Sequence, residues 1–379
     1  MRFRAVVIAA AVGSIAGCGD VPLADDLPRI SIAGGSVHSP PPDDPLGVIG
    51  GVALSGDSVI FIVDGQDQAV VRLRIDGSDA SRFSRRGEGP GELRSAFSVF
   101  VQQNTVVVPD FAARQINRFG LRGDFLGADP GYFNRSHLVE VDRVDFDSHG
   151  THYAQYRYSY GTVDDRLVRW GGVSVEVDTL ALLPRSASRG GGQISLLSAR
   201  PLWDAGPTGV VAVTSTHGDS VTLLDGVTGR TLRTFGLLQT GRLRTASEDY
   251  QEWIREAVLG SVPPEFRSNA ERSLLVGDSL PRLDGIRVAA SDEIWVQRVL
   301  TEDEHRRRVD EGLASPVFLG SESWEVYSSS GEPLMIVKTP IDFGLVGISG
   351  GYLYGVNTDS LGVQSVQLLP TAELQRGRR

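Results

Sequence analysis

Short apolar strands separated by polar turns recur along most of this chain. The clearest are β-branched runs such as Ser58–Asp64 and Thr105–Asp110. Each is followed by a strand with alternating hydrophobic positions, a glycine-containing turn and another strand, a pattern typical of antiparallel hairpins. Comparable runs begin near His152, Gly209, Glu293 and Tyr352. The pattern therefore predicts a body built almost entirely of β-strands.

The strands fall into four-stranded units that return every ~40–50 residues, which is the spacing of β-propeller blades. Six units can be delimited, over residues 46–86, 95–128, 138–184, 196–238, 281–339 and 341–369. The last unit has only three strands, and residues 28–33 are the candidate for its missing outer strand. Pairing the two ends of the chain in one blade closes the gap that an open ring would leave, with its unpaired backbone edge. A pair of β-sandwiches accounts for the strands but not for their spacing.

We therefore predict an all-β fold, a six-bladed β-propeller over residues 46–369 with a short C-terminal tail over 370–379. One helical insertion, over residues 246–278, interrupts it between blades four and five. Ser247 can cap a first helix, and Glu265–Leu275 can form a second. The insertion is expected to pack against the ring, and a lid over a ligand is the alternative. Glu302–Arg308, a run of mixed charge, is interpreted as an exposed loop of blade five.

The N-terminus has the features of a secretory signal. Met1–Arg4 is positively charged, and Ala5–Ile15 is an apolar run too short to span a bilayer as a helix. The run ends in Ile15-Ala16-Gly17-Cys18, which resembles the bacterial lipobox. The resemblance implies removal of residues 1–17 and lipidation of Cys18. Residues 18–45, rich in Pro, Asp, Gly and Ser, then form a flexible tether.

A second resemblance concerns the propeller itself. Gly87–Leu93, followed by a strand that ends in Val108-Pro109-Asp110, resembles the repeat of six-bladed propellers of the NHL and TolB-like type. The C-terminal third resembles a bacterial lipoprotein subgroup of these propellers, most clearly at Trp324–Tyr327 and Tyr354–Asp359. Propellers host many activities, so the resemblance implies a fold and not a function.

The net charge and the single cysteine restrict the possible partners and cellular location of the protein. The 379 residues carry a net charge of -10, which disfavours a nucleic-acid partner because phosphate binding depends on clustered Lys and Arg. Cys18 is the single cysteine, so no intramolecular disulfide can form. Asp20, rather than residue 19, is the first acid after that cysteine. The arrangement favours the outer membrane, facing the periplasm or the cell surface.

Two groups of side chains are candidates for metal binding. Asp147–His152 places two imidazoles and a carboxylate close together, so zinc is possible in principle, although a plain hairpin turn explains the same residues. Some propeller hydrolases hold calcium in the central channel with oxygen ligands, 6–8 of them around the ion. The side chains that could serve in this way are Glu140, Asp142, Asp145, Asn357 and Asp359.

The third unit carries the candidate binding surface. Tyr156, Tyr158 and Tyr160 share one strand face, with Arg157 between the first two. If exposed, the rings would stack on sugars or grip a peptide, and burial against a neighbouring blade is the alternative.

The chain contains no HExxH helix, and its GxSxG match, Gly347–Gly351, precedes a predicted strand and not the helix that a nucleophile elbow requires. We therefore expect a lipid-anchored scaffold, without a cofactor, that binds an envelope protein, a peptide or a carbohydrate. A calcium-dependent hydrolase or lyase, with its site in the channel, is the alternative.

Overall fold

The computed structural model describes residues 27–32, 34–38, 46–56, 58–130, 140–157, 164–171, 174–184, 194–238, 242–359, 361–372 and 374. The described chain forms a six-bladed propeller, as the strand spacing predicts. Two short strands come first, β1 (Arg29–Ser31) and β2 (Ser36–His38). Cys18 and the signal segment lie outside the described residues.

The blades follow in chain order, each listed from the channel outwards. Blade one contains β3 (Ile49–Ser55), β4 (Val59–Asp64), β5 (Ala69–Arg74) and β6 (Ala80–Phe83), and blade two contains β7 (Phe100–Gln102), β8 (Thr105–Asp110), β9 (Gln115–Gly120) and β10 (Phe125–Asp129). Blade three contains β11 (Glu140–Phe146), β12 (Thr151–Arg157), β13 (Asp164–Gly171) and β14 (Ser174–Pro184). After a separate strand, β15 (Ile194–Leu196), blade four contains β16 (Pro201–Ala205), β17 (Val210–Ser215), β18 (Ser220–Asp225) and β19 (Thr231–Gly236).

A helical module precedes blade five. It consists of α1 (Glu248–Ser261), α2 (Pro264–Ser273) and β20 (Leu274–Val276), which pairs in parallel with β15. Blade five then contains β21 (Leu283–Val288), β22 (Ile294–Val299), β23 (Gly320–Tyr327) and β24 (Pro333–Lys338), with α3 (Glu302–Asp310) between its second and third strands. Blade six contains β25 (Phe343–Ser349), β26 (Tyr352–Thr358) and β27 (Gln364–Pro370).

The N-terminal strands close the ring, but not as the sequence analysis expects. The fourth strand of blade six is β2, which pairs antiparallel with β27. Residues 28–33 instead add β1 to the outer edge of blade five, parallel to β24. The prediction for 28–33 was wrong because strand propensity identifies a strand without identifying its partner. The segment taken as a flexible tether therefore contributes two strands to the propeller.

The ring has two distinct faces. Hairpins between first and second strands, and between third and fourth strands, lie on one side, which we call the turn face. Connections between second and third strands, and between successive blades, lie on the other side, which we call the loop face. The helical module and α3 both belong to the loop face, because they interrupt connections of the second kind.

The helical insertion is confirmed, and its first helix begins where the sequence indicates. The Ser247 hydroxyl accepts a hydrogen bond from the Tyr250 amide, which makes Ser247 the N-cap of α1. The interpretation of 302–308 as an exposed loop was wrong. These residues form most of α3, in which His305 and Arg308 are buried. No helix among the described residues is long and apolar enough to cross a membrane.

Apolar side chains between neighbouring blades form the core. Val107 and Ile116 of blade two, for example, pack with Val144 and Ala154 of blade three. Burial of such apolar surface stabilises the folded state by about 25 cal/mol per Å². Because each blade buries its sides against two neighbours, the hydrophobic contacts run around the ring and leave the centre open.

Candidate functional site

A cavity of about 550 Å³ occupies the central channel, and all six blades contribute to its wall. The wall consists of the innermost strands β3, β11, β16, β21 and β25, together with residues 97–101 at the start of blade two. This volume is within the range of small-molecule sites, about 300–1,000 Å³. A smaller cavity of about 250 Å³ lies at the turn face between blades five and six.

Four charged side chains, from blades three, four and five, form a cluster in the channel. The Arg143 guanidinium donates hydrogen bonds to the Asp204 carboxylate and the Trp203 carbonyl, and it lies 4.8 Å from the centre of the Trp203 ring. The distance from Arg143 Nη2 to Asp145 Oδ2 is 3.5 Å. Arg287 Nη1 lies 3.9 Å from Asp204 Oδ1. The cluster therefore alternates two guanidinium groups with two carboxylates.

The same side chains connect inner strands that belong to separate sheets. Asp145 Oδ2 of blade three accepts a hydrogen bond from the Ala205 amide of blade four, at 3.3 Å. Asp204 Oδ2 of blade four accepts one from the Val288 amide of blade five, at 2.7 Å. Arg287 of blade five donates to two carbonyl oxygens of β25 in blade six, at 2.9 and 3.1 Å. The cluster thus bridges four successive blades at the channel wall.

Burial and proximity change the ionisation of these groups. Burial, reinforced by the neighbouring Asp204 carboxylate, raises the pKa of Asp145 to about 7. Burial also lowers the pKa of Arg287, although the attraction of Asp204 partly offsets this effect. The pKa of Tyr354, which lines the same cavity, is raised by burial and by Asp145 and Asp204. Near neutral pH, Asp145 is the channel group poised to exchange a proton.

The part of the wall contributed by blade two is apolar and aromatic. Phe97, Phe100 and Phe111 of blade two line the cavity, and Phe97 is 52% exposed. Gly51 of blade one allows this segment to approach, because a Cβ at that position would lie 2.8 Å from the Ser98 Cα. The channel is therefore amphipathic, with charges on blades three to five and aromatic rings on blade two.

The predicted tyrosine surface is not formed as expected. Tyr156 is 1% exposed and lies in the core between blades two and three, so its ring cannot contribute to an exposed platform. The backbone of Arg157 ends β12, and Tyr158 and Tyr160 lie outside the described residues.

The predicted calcium ligands lie in different places. Asp145 faces the channel, but Asn357 donates a hydrogen bond to Gln367 Oε1 within blade six, at 3.4 Å. Asp359 Oδ1 accepts two backbone hydrogen bonds in a loop-face turn, each at 2.9 Å. Glu140 and Asp142 belong to β11, and their side chains are not described. Asn357 and Asp359 therefore do not join Asp145 in the channel.

The residues of the zinc candidate make structural contacts within blade three and with blade two. Asp147 Oδ1 accepts hydrogen bonds from the amides of His149 and Thr151, which stabilises the hairpin turn. His152 is buried against the rings of Phe146 and Trp170, and its Nε2 lies 3.3 Å from Arg118 Nη2. Among the described residues, no group of three His, Cys, Asp or Glu side chains is placed to hold a metal ion.

Three of the four charged channel residues were not predicted from the sequence: Arg143, Asp204 and Arg287. A signal was present, because each is a charged residue in the innermost strand of its blade. A charge at such a position needs either a partner or water in the channel.

Comparison with models of protein families gives no match, and neither does comparison with curated protein sequences. Solved structures do match. A putative exported protein from Bacteroides fragilis is 11% identical with a TM-score of 0.51, and the match covers 90% of this chain and 98% of that one. A member of the DUF4221 family from Bacteroides vulgatus is 10% identical with a TM-score of 0.50, covering 88% and 97%. At this identity the similarity shows the fold alone.

Proposed function

We propose that this protein is a lipid-anchored propeller of the bacterial cell envelope that binds a protein segment, peptide or carbohydrate ligand in its central channel. The observation that carries the proposal is the cavity of about 550 Å³, which combines an aromatic wall with a charged one. Ligand sites commonly pair apolar walls with a few convergent polar groups. The NHL or TolB-like type and the anchor at Cys18 are parts of the same proposal.

The path of β1 supports a particular orientation on the membrane. The strand runs parallel to β24, which begins just after a turn-face hairpin, so the chain approaches blade five from the turn face. Leu27 lies nine positions after Cys18, and an extended chain of that length spans at most about 30 Å. The turn face would therefore lie towards the membrane, and the helical module away from it.

The anchor is tested with Cys18→Ser, with Gly19→Ala as the control that retains the cysteine. We expect the wild type and Gly19→Ala to fractionate with membranes and to carry the mass of attached acyl chains. Cys18→Ser should lose both properties. An unmodified Cys18 in membrane-bound wild-type protein would contradict the anchor.

The channel is tested with Phe97→Ala, with Phe318→Ala as the matched control. Both phenylalanines are exposed on the loop face, but only Phe97 lines the cavity. Native mass spectrometry of the protein purified from its own envelope should detect a bound species with the wild type and Phe318→Ala. We expect Phe97→Ala to reduce its occupancy at least about tenfold. Equal occupancy by the bound species in the two variants would exclude the channel as its binding site.

The calcium-dependent alternative is distinguished by metal analysis of the same samples. A scaffold should keep its thermal stability after treatment with a chelator. A metal enzyme should contain stoichiometric calcium and lose stability when calcium is removed, since a ligand that binds only the folded state raises stability. Calcium binding of that kind would replace the scaffold proposal.

A further inference from the structure

The guanidinium groups of the channel have unused donors. A guanidinium carries five N–H groups. Those of Arg143 contact Trp203, Asp204 and Asp145, and those of Arg287 bond three carbonyl oxygens. Among the described residues, both arginines thus keep N–H groups without a protein partner, and both line the cavity. A ligand with acceptor oxygens would complete their hydrogen bonding.

The two carboxylates of the channel, in contrast, already accept hydrogen bonds from protein groups. Asp145 accepts backbone hydrogen bonds from Phe146 and Ala205, and Asp204 accepts from Arg143 and the Val288 amide. The side chains of Arg143 and Arg287 remain 35% and 25% exposed, compared with 13% and 9% for Asp145 and Asp204. A molecule entering the channel therefore meets positive charge more readily than negative charge.

From this geometry we propose that the channel is selective for an amphipathic carboxylate. The carboxylate would accept hydrogen bonds from Arg143 and Arg287, and an apolar ring or chain would pack against Phe97, Phe100 and Phe111. Guanidinium groups bind carboxylates through paired, charge-assisted hydrogen bonds. The inference rests on the proposed function, since it specifies the ligand class of the same site.

The test uses three probes of one shape and different charge: 4-phenylbutyrate, 4-phenylbutanol and 4-phenylbutylamine. Binding to the whole protein is measured by calorimetry and by ligand-observed NMR. We expect 4-phenylbutyrate to bind at least about tenfold more tightly than the alcohol, because a hydrogen bond to a charged group is replaced by a weaker one. The amine should not bind measurably.

Two further probes distinguish the source of the carboxylate. Ala-Ala-Phe with a free C-terminus and the same peptide with a C-terminal amide differ only in the terminal group. If the channel accepts peptide ends, the free peptide should bind at least as tightly as 4-phenylbutyrate and the amide about tenfold more weakly. If only 4-phenylbutyrate binds, the ligand is a free small acid, which keeps the carboxylate inference and replaces the peptide or carbohydrate ligand of the proposed function.

Variants locate the binding. Arg143→Gln should weaken 4-phenylbutyrate binding about tenfold or more and weaken binding of the alcohol much less. Arg85→Gln is the control, because Arg85 is an exposed loop-face arginine paired with Glu92 outside the channel. If Arg143→Gln fails to fold, the comparison of the three probes on the wild-type protein still decides whether the channel selects a carboxylate.

The pH dependence gives an independent readout. The charged and titratable groups that face Asp145 are Arg143 on its own strand, Asp204 of blade four, Arg287 of blade five and Tyr354 of blade six. When Asp145 takes up a proton, the two arginines and Asp204 leave a net positive charge. Binding of 4-phenylbutyrate should therefore tighten from pH 8 to pH 6, and Asp145→Asn should abolish this change.

The outcomes separate the two proposals. Tighter binding of the alcohol or the amine than of 4-phenylbutyrate would overturn the carboxylate inference while leaving a ligand-binding channel in place. Binding of 4-phenylbutyrate that is equally tight in the wild type and in Arg143→Gln would also overturn it. Failure of every probe to bind, with an envelope ligand still retained in a Phe97-dependent manner, would reject the ligand class alone. Loss of both would reject the binding channel itself.

Discussion

Asp145 couples the channel to the stability of the whole protein. Its pKa is raised by burial, so the folded protein holds this proton more tightly than the unfolded chain does. The stability contributed by that proton is fully present below the unfolded pKa, near pH 4, and is lost as the pH rises through about 7. His152 acts in the opposite direction, because burial lowers its pKa to about 3 and acid therefore destabilises the fold.

The first prediction isolates the contribution of Asp145. In Asp145→Asn, the free energy of unfolding should fall less steeply, or rise, between pH 4.5 and pH 7 when compared with the wild type. One proton accounts for a slope difference of at most about 1.4 kcal/mol per pH unit. Urea denaturation across this range provides the measurement. Because His152 and the other groups are common to both proteins, parallel curves would mean that Asp145 ionises normally.

A second residue-scale prediction concerns glycines in turn-face hairpins. Gly331 has φ of +83°, and a Cβ there would lie 2.5 Å from the Phe235 Cβ of the preceding blade. Gly77 has a similar φ of +71° but nothing within 4 Å of the equivalent position. Gly77→Ala should cost only the left-handed backbone strain, about 1–2 kcal/mol. Gly331→Ala should cost about 1–3 kcal/mol more, because blades four and five must separate slightly.

The control for this comparison is built into blade two. Gly123 also has positive φ, and its Cβ would lie 2.7 Å from the ring of Phe83 in blade one. Gly123→Ala should therefore behave like Gly331→Ala rather than like Gly77→Ala in thermal denaturation. If all three variants are equally stable, close contact between neighbouring blades at the turn face does not contribute to stability.

At the scale of elements, α1 and α3 are held together by specific polar contacts. The Ser247 amide and hydroxyl both donate to the Glu302 carboxylate, at 3.1 and 2.8 Å. The Tyr250 hydroxyl lies 2.7 Å from His305 Nδ1, and Arg306 lies over the Tyr250 ring. These contacts join the insertion before blade five to a connection within blade five, so the two helices form one structural unit.

The third prediction tests this unit. Ser247→Ala removes both the cap of α1 and the hydroxyl bond to Glu302, so the helical module should lose about 1–2 kcal/mol of local stability. Hydrogen exchange of α1 amides is the appropriate measurement, because it detects local opening of the module separately from unfolding of the propeller. Ser268→Ala, on the exposed helix α2, is the control and should leave α1 exchange unchanged. Faster exchange throughout the propeller would contradict a separate unit.

The elements themselves differ in how well the sequence predicts them. Strands such as Val59–Asp64 are predictable because their apolar side chains are buried in the blades. The helix α3 is not, because it buries His305 and Arg308 instead of an apolar stripe. Arg308 is stabilised there by Glu304 and Glu322, at 2.6 and 2.8 Å, and such pairs have no periodic signal.

At the scale of the whole molecule, the channel cluster shows where sequence reasoning stops. The six-bladed fold follows from a regular spacing, which is a property of the chain alone. Arg143 and Asp204, in contrast, are 61 residues apart and meet only because consecutive blades turn about one axis. Val288, a further 84 residues on, completes the contact to Asp204. Which inward-facing charges converge therefore depends on bulges and blade rotation that no local pattern encodes.

The fourth prediction concerns closure of the ring. A chain beginning at residue 39 lacks β1, β2 and the buried side chains of Leu27 and Ile32, whereas one beginning at residue 27 retains them all. The shorter chain should lose about 3–6 kcal/mol from those two side chains alone. Denaturation midpoints of the two chains provide the measurement. Addition of a peptide of residues 27–38 should restore stability, and equal midpoints would show that closure contributes little.

The pairing of β1 with β24 and of β2 with β27 also dictates an order of events during biosynthesis. Arg29 pairs with Ile336 and Ser36 with Leu368, so these early residues have no partner until some 300 more have been made. Contacts this distant in sequence form slowly. A nascent chain therefore cannot close the ring until blades five and six have been made. We expect pulse-labelled hydrogen exchange during refolding to protect β1 and β2 last, and early protection would contradict this order.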